Sequence, residues 1–391
     1  MAKLLLSCDD YVFCYKGKYY ARTQEKYDFY QRYLRVFEQL RLVTRCVEEE
    51  QLGKSRVLLD DSRIEFVPIP FFRGPNQYAL KYVEIGKTLR GITNGCDAAI
   101  LRLPSTVAQR VCKKVMKSGM PYATELVFDA KDAYDSATTL LGKFLWKTIH
   151  SQMIGACDRA DGVSCVTCHY LQQHYTSRKK DAFFSNYSSL SLDSSFFSSE
   201  RKYPTKDFFK IAHVCTQVQY NGRKGYNELI KAIQVLKLKG LDVKVEFAGP
   251  DYNDGIEKLT SLAQELDVID RVKFIGGVNR KELSDYLESA DLYVMPTMAE
   301  GLPRVIIEAM AKGLPCITTP VSGNSELVDE HFLVNYYDVE TLADRIEELY
   351  KDHQLYEATS RINFERSKQY EATILQSRRD EFYRKLKERV K

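Results

Sequence analysis

No apolar run in this 391-residue chain approaches the roughly 20 positions that a helix needs to cross a bilayer. The Leu4–Leu6 run is cut short by Asp9 and Asp10, too early for the apolar core of a secretory leader, so a cytoplasmic protein is expected. No tandem repeat is visible. A disulfide framework is lacking as well: the ten cysteines are scattered, several within strand-like apolar runs (Cys96, Cys215, Cys316), as buried thiols of a reducing compartment would be. Net charge is low, +4, but uneven. Residues 1–200 carry 28 Lys and Arg against 22 Asp and Glu, whereas residues 201–391 carry 29 against 31. A basic first half fits an anionic substrate or surface, and equally fits ordinary scatter. No nucleic-acid partner is expected.

What the chain does have is 44% hydrophobic residues and length enough for two domains with real cores. Apolar strand-like runs alternate with helical periodicity. In the first half the order is a strand over 2–12, a helix over 27–40, then RLVTRCV, AAILRLPS and YATELVF as strands. TVAQRVCKKVMKSG and LLGKFLWKTIHSQMIGACD read as helices, and GVSCVTCHYL as a strand. The Ser- and aromatic-rich stretch 183–205 loses all periodicity and reads as a linker. From 206 the alternation is cleaner: FKIAHVCTQV, DVKVEFAGP, RVKFIGG, DLYVMPT, PCITTP and HFLVNYYD are strands with helices between. This grammar predicts an α/β protein with two doubly wound, mostly parallel sheets. The domains expected are 1–205 with its linker, 206–365, and a closing helical segment 366–391.

The most informative stretch is EGLPRVIIEAMAKGLPC, residues 300–316. A strand runs into a tight Gly/Pro turn and then a helix, which is a ready anion site because the first helical N–H groups have no intrahelical partner. A carboxylate there, Glu300, would repel phosphate, so it is better placed to grip hydroxyls. Phosphate together with hydroxyls suggests a nucleotide sugar. Glu308 lies one to two turns into the helix. Were the eight positions helical they would span about 12 Å, too far for the roughly 5–9.5 Å of a glycosidase carboxylate pair. Three more turns follow strands: GRKG at 222–225 with Arg223 and Lys224, FAGP at 247–250, and FIGGV at 274–278 with Gly276, Gly277 and Val278. Strand carboxyl ends are where open α/β sheets bind ligands. Each turn alone is a common surface feature, and two glutamates alone could be a solvated helix face.

In this order and spacing they resemble the C-terminal domain of family 4 retaining glycosyltransferases of the GT-B fold, over about 211–350, through the E-x7-E signature Glu300–Glu308. The resemblance implies two Rossmann-like domains facing across a cleft. It implies a hexosyl-type transfer from a UDP- or GDP-type sugar to a hydroxyl of a glycan or lipid-linked acceptor, in polysaccharide or glycoconjugate assembly. It implies Glu300 on hydroxyls of the donor sugar, Glu308 on both ribose hydroxyls, and Lys224, helped by Arg223, on the diphosphate. Backbone amides of Gly301, Leu302 and Arg304 would serve sugar and phosphate, since Pro303 has no N–H. The turn at Gly276–Val278 would form the base pocket. No cofactor and no metal are implied. Two positions depart from the pattern. Thr216, Gln217 and Val218 stand where many members have Gly-Arg, and no histidine ends the strand YATELVF, leaving Asp129 or Glu125 as the nearest polar candidate at the anomeric carbon. Those departures favour a rival expectation, a nucleotide-sugar-binding subunit without activity. The basic first half, with YDFYQRYLRVF, adds the expectation of a peripheral place on the anionic inner face of the membrane. Asp9–Asp10 and the carboxylates from 129 to 135 could by themselves suggest a metal, but the resemblance implies a metal-free design that uses helix dipoles and cations.

Overall fold

Strand and helix alternate through the chain, whose computed structural model describes residues 1–135, 139–205 and 208–390. Two units emerge: Met1–Tyr187 with Gln376–Lys391, and Ser188–Leu375.

In the first unit the strands are β1 (Lys3–Tyr15), β2 (Lys18–Ala21), β3 (Gln39–Glu48), β4 (Val57–Leu58), β5 (Ile64–Pro70), β6 (Ala98–Leu103), β7 (Tyr122–Leu126), β8 (Gly162–Cys165) and β9 (Phe183–Asn186). The helices are α1 (Gln24–Gln31), α2 (Gly74–Leu80), α3 (Tyr82–Thr88), α4 (Thr106–Ser118), α5 (Ala130–Asp135) and α6 (Leu140–Asp158). The parallel core of the sheet runs β5-β3-β1-β6-β7-β8-β9; β2 adds antiparallel to the far end of β1, and β4 antiparallel to β2. Central strands such as AAILRL are buried on both faces, so they read as continuous apolar runs. Helix α4 shows how local sequence fixes an element. Ser105 caps it by accepting the Ala108 N–H at 3.1 Å, Val107, Val111 and Val115 bury one face, and Gly119 at φ +70 ends it.

The second unit has β10 (Phe209–Val214), β11 (Val243–Ala248), β12 (Val272–Gly276), β13 (Leu292–Met295) and β14 (Cys316–Thr318), all parallel, in the order β12-β11-β10-β13-β14. Its helices are α7 (Tyr226–Leu238), α8 (Gly255–Glu265), α9 (Arg280–Ser289), α10 (Arg304–Ala311), α11 (Asn324–Leu327), α12 (Val339–Lys351) and α13 (His353–Ser367). The final helix, α14 (Ala372–Lys387), begins in the second unit and passes into the first at Gln376.

Several expectations need correction. The helix expected over 27–40 is the shorter α1, followed by a 3-10 turn at Tyr33–Arg35, and Leu40 already belongs to β3. The strand expected from GVSCVTCHYL stops at Cys165, and HFLVNYYD is a 3-10 turn at Glu330–Phe332 with a single bridge at Leu333. Most of 183–205 is not a linker. Phe183–Asn186 is the edge strand of the first sheet, and the units divide at 187/188 and 375/376 rather than at 205/206 and 365/366. Position 206 itself lies outside the described residues. Arg201 gives the physical reason for the earlier division. Its guanidinium donates to the carbonyls of Leu287, Ala290 and Lys312 at 2.8–3.1 Å, covering helix-end acceptors of the second unit.

Candidate functional site

The strand order of the second unit decides where its loops meet. From β10 the sheet grows through β11 and β12 on one side and through β13 and β14 on the other, so the order reverses between β10 and β13. Loops leaving the carboxyl ends of two strands at such a reversal diverge, and the crevice between them is where open α/β sheets hold ligands. The loop after β10 carries Arg223 and Lys224, and the loop after β13 carries Glu300.

These two loops are fastened together by backbone. The Met298 N–H donates to the Arg223 carbonyl at 2.9 Å, and the Thr297 hydroxyl donates to the same carbonyl at 3.2 Å. Gly225, at φ +70, makes the approach possible, because a Cβ there would overlap the Pro296 carbonyl oxygen. Across this junction the Lys224 ammonium forms an ion pair with Glu300 Oε1, and Thr297 Oγ1 lies 3.4 Å from that same oxygen. Lys224 is half-buried and Glu300 more so, with side-chain exposures of 32% and 14%. Tyr336 donates to the Gly222 carbonyl at 3.0 Å and braces the first loop from behind.

Two helices start here, α7 after Gly225 and α10 after Pro303, and neither N-cap residue offers a side-chain cap. Their first-turn N–H groups therefore add partial positive charge to that of Lys224, Arg223 and Arg304. Arg223 and Arg304 are exposed, whereas Gly301 and Leu302 are buried in the turn. Gly301 is pinned by the Gly323 N–H, which donates to its carbonyl at 3.0 Å. Glu308 is the fifth residue of α10 and half-buried. Only Arg304–Glu308 of the Glu300–Glu308 interval is helical, so the expected 12 Å helical spacing does not apply. Pro303, at φ −71 and without an N–H, marks the change from loop to helix. Beside the site, the Gly249 N–H donates to the Gly276 carbonyl at 2.7 Å and joins the ends of β11 and β12. Gly277 is exposed and Val278 half-buried, one residue before the capping box of Asn279 and Glu282 that starts α9.

Sequence reasoning missed the residues that hold the β13 loop. Thr319 Oγ1 donates to the Thr297 carbonyl at 2.5 Å, and Asn324 Nδ2 donates to Thr318 Oγ1 and to the Thr319 carbonyl at 2.9 and 3.0 Å. The signal was present as two threonines at the end of an apolar strand and an asparagine opening the short helix after it. His213, fully buried near the carboxyl end of the central strand β10, was also missed. Its Nδ1 lies 2.8 Å from the Val294 carbonyl, and burial pushes its pKa down to about 4.

Asp129 and Glu125 belong to the first unit and are both buried. Asp129 accepts from Tyr175 Oη at 2.7 Å and from the Lys131 N–H at 2.8 Å. Glu125 accepts from four donors: Tyr33, Tyr187 and Tyr383 hydroxyls and Arg102, at 2.7–3.0 Å. Burial first, and the Glu125 charge second, push those three tyrosines well above the usual range, so they remain donors. Asp9 pairs with Arg45 and Asp10 with Lys26, at 3.0 and 2.9 Å. The side chain of Asp135 lies outside the described residues. Among the described residues no cluster of three His, Cys, Asp or Glu side chains could hold a metal ion, and no helix is long and apolar enough to cross a membrane.

Residues 212–366 match the family described as glycosyl transferases group 1. Protein CapJ of Staphylococcus aureus is 28% identical over 349 residues, covering 88% of this chain and 85% of CapJ. The capsular polysaccharide biosynthesis glycosyltransferase CapM of the same organism is 32% identical over 150 residues, 36% of this chain and 38% of CapM. Among solved structures, HepE of Anabaena in complex with UDP-glucose superposes with a TM-score of 0.66 at 15% identity, over 97% of this chain and 99% of that one. Most of the second unit is thus similar to the glycosyl transferases group 1 model, in a chain with the GT-B fold.

Proposed function

We propose that this chain is a retaining glycosyltransferase that moves a sugar from a UDP- or GDP-type donor to a hydroxyl of a glycan or lipid-linked acceptor in polysaccharide assembly. The observation that carries the reading is the Lys224–Glu300 pair at the reversal of the second sheet, between two helix N-termini that no side chain caps. Cationic groups and helix ends suit a diphosphate leaving group, whose charge grows as the glycosidic bond breaks. Glu300, already neutralised by Lys224, is free of phosphate repulsion on its sugar-facing side and accepts hydroxyl donors. In this reading Glu308, one turn into α10, takes the ribose hydroxyls, and the Gly276–Val278 turn takes the base. The capsular role of CapM and the UDP-glucose bound by HepE support the polysaccharide context and the UDP donor. In this reading the chain's own cations and helix ends neutralise the diphosphate, with no metal required.

The test is nucleotide release from UDP- and GDP-sugars by the intact chain, by Glu300→Ala and by Lys224→Ala. Release undiminished in both variants would sink the site assignment.

A second reading, a nucleotide-sugar-binding subunit without activity, is favoured by one observation. The two carboxylates considered for the anomeric carbon, Glu125 and Asp129, are buried and engaged within the first unit. Tight UDP binding with no turnover on any acceptor would decide for it.

A further inference from the structure

The first sheet also reverses, between β1 and β6, and a cavity of about 660 Å3 opens there, within the size range of small-ligand sites. Asp9 of β1 and Pro104–Thr106 after β6 line it at the reversal, and α2, α3, α4 and α6 supply the walls. Its charge is positive. The acid, Asp9, is neutralised by Arg45 at 3.0 Å, which leaves the cations Arg110 and Lys113. Arg110 is fixed over the Tyr82 ring at 4.0 Å and donates to the Tyr82 carbonyl at 2.8 Å. A third polar group is unusual. Gln109 is only 8% exposed, and its Nε2 donor has no hydrogen-bond partner. A buried amide donor without an acceptor costs free energy unless a ligand meets it.

The walls are apolar, with Trp146, Tyr78 and Phe72 among them. Leu145 and Ile149, on the same face of α6 as Trp146, extend that apolar wall. Donors and cations beside apolar walls match a molecule that carries a phosphate or diphosphate on a hydrocarbon chain. An anion alone would not use the apolar walls, and a neutral sugar would not use the cations.

We infer that this cavity is a binding site for a phosphorylated amphiphile, its anionic group facing Gln109, Arg110 and Lys113 and its chain lying against Trp146, Leu145 and Ile149. As a site it stands on these residues. As the place of a lipid-linked acceptor it rests on the glycosyl-transfer reading above.

Calorimetric titration of the full chain with farnesyl diphosphate, inorganic pyrophosphate and farnesol separates the contributions. Farnesyl diphosphate is expected to bind most tightly of the three. Gln109→Leu and Trp146→Ala should each weaken it about tenfold. The exposed Lys113→Ala, which perturbs no packing, should weaken it about threefold, the effect of a solvent-exposed charge. Pyrophosphate binding as tightly would remove the apolar half of the inference, and farnesol binding as tightly would remove the anionic half. Absence of binding, or affinity unchanged in all three variants, overturns it. Loss of farnesyl diphosphate binding in Lys224→Ala would mean that the probe occupies the other diphosphate site, and also overturns it. UDP binding, followed in the same titrations, reports on the glycosyl-transfer reading independently: its loss with farnesyl diphosphate binding intact would sink that reading and leave this inference standing.

Discussion

Glu300 and Lys224 touch, yet the proposed roles send them to opposite ends of the same bond, and this gives a prediction with a sign. In the free protein the Lys224 ammonium is shared with Glu300. Removing the carboxylate by Glu300→Ala frees the whole cation for a diphosphate and removes a negative charge beside it. A partly exposed pair of this kind is worth about 1 kcal/mol, so UDP should bind unchanged or up to about fivefold tighter. Turnover should fall all the same, because the hydroxyl grip on the sugar is gone, by about 100-fold for one lost transition-state contact of roughly 3 kcal/mol. Lys224→Ala should lose both, with UDP weaker by about tenfold or more and turnover down by a similar or larger factor. Since the residues are in contact, the double variant should cost less than the product of the two single effects. Calorimetry with UDP and a nucleotide-release assay read the two quantities separately. If Glu300→Ala weakens UDP binding as much as Lys224→Ala does, Glu300 is not on the sugar side and the division of labour is wrong.

Three further outcomes follow from the geometry. Glu125→Gln should destabilise the first unit by about 3–5 kcal/mol, since it leaves Arg102 without its buried partner; calorimetric melting should show a fall of about 10 °C, against about 1 kcal/mol for Tyr383→Phe, which removes one donor of four. Gly225→Ala should abolish nucleotide release by forcing the β10 and β13 loops apart, whereas Gly240→Ala, equally left-handed but with open space around it, should keep full activity at a cost of about 1 kcal/mol in denaturant melts. His213 is held neutral by burial, with a pKa lowered from 6.5 to about 4, so the unfolded chain takes up its proton first as pH falls. Its stabilising effect is complete above pH 6.5 and is lost progressively toward pH 4, about 2 kcal/mol of it by pH 5; urea melts of His213→Asn should show a correspondingly smaller drop between pH 7 and pH 5, and an unchanged drop would refute the assignment.

How far the sequence could be read depended on distance along the chain. Ser105 and Gly119 announced α4 because a cap and a left-handed stop act within one turn. The run LYVMPT before EGLPR announced a strand, loop and helix for the same reason. The YDFYQRYLRVFEQL segment misled because its apolar spacing suits a helix, while Leu40 is drawn into β3 by its neighbours β1 and β5, a tertiary preference that no local pattern carries. Residues 183–205 looked like a linker because serines hide an edge strand with only one neighbour. The attachment of the part from Ser188 onward to the second unit depends on Arg201 reaching carbonyls more than 80 positions away.

The sequence by itself determined which groups exist to do chemistry: a basic turn with Arg223 and Lys224, a Gly/Pro turn with Glu300, a helix bearing Glu308, each at the end of an apolar strand. These are local properties, set by turn residues and side-chain period. Only the tertiary structure decided which of them meet. Lys224 and Glu300 lie 76 positions apart and pair because β10 and β13 are neighbours at the point where the sheet order reverses. Sheet order is chosen by burying whole faces against helices, a balance summed over the domain. The same balance buried Glu125 and Asp129, which the sequence had offered as candidates for the reacting centre.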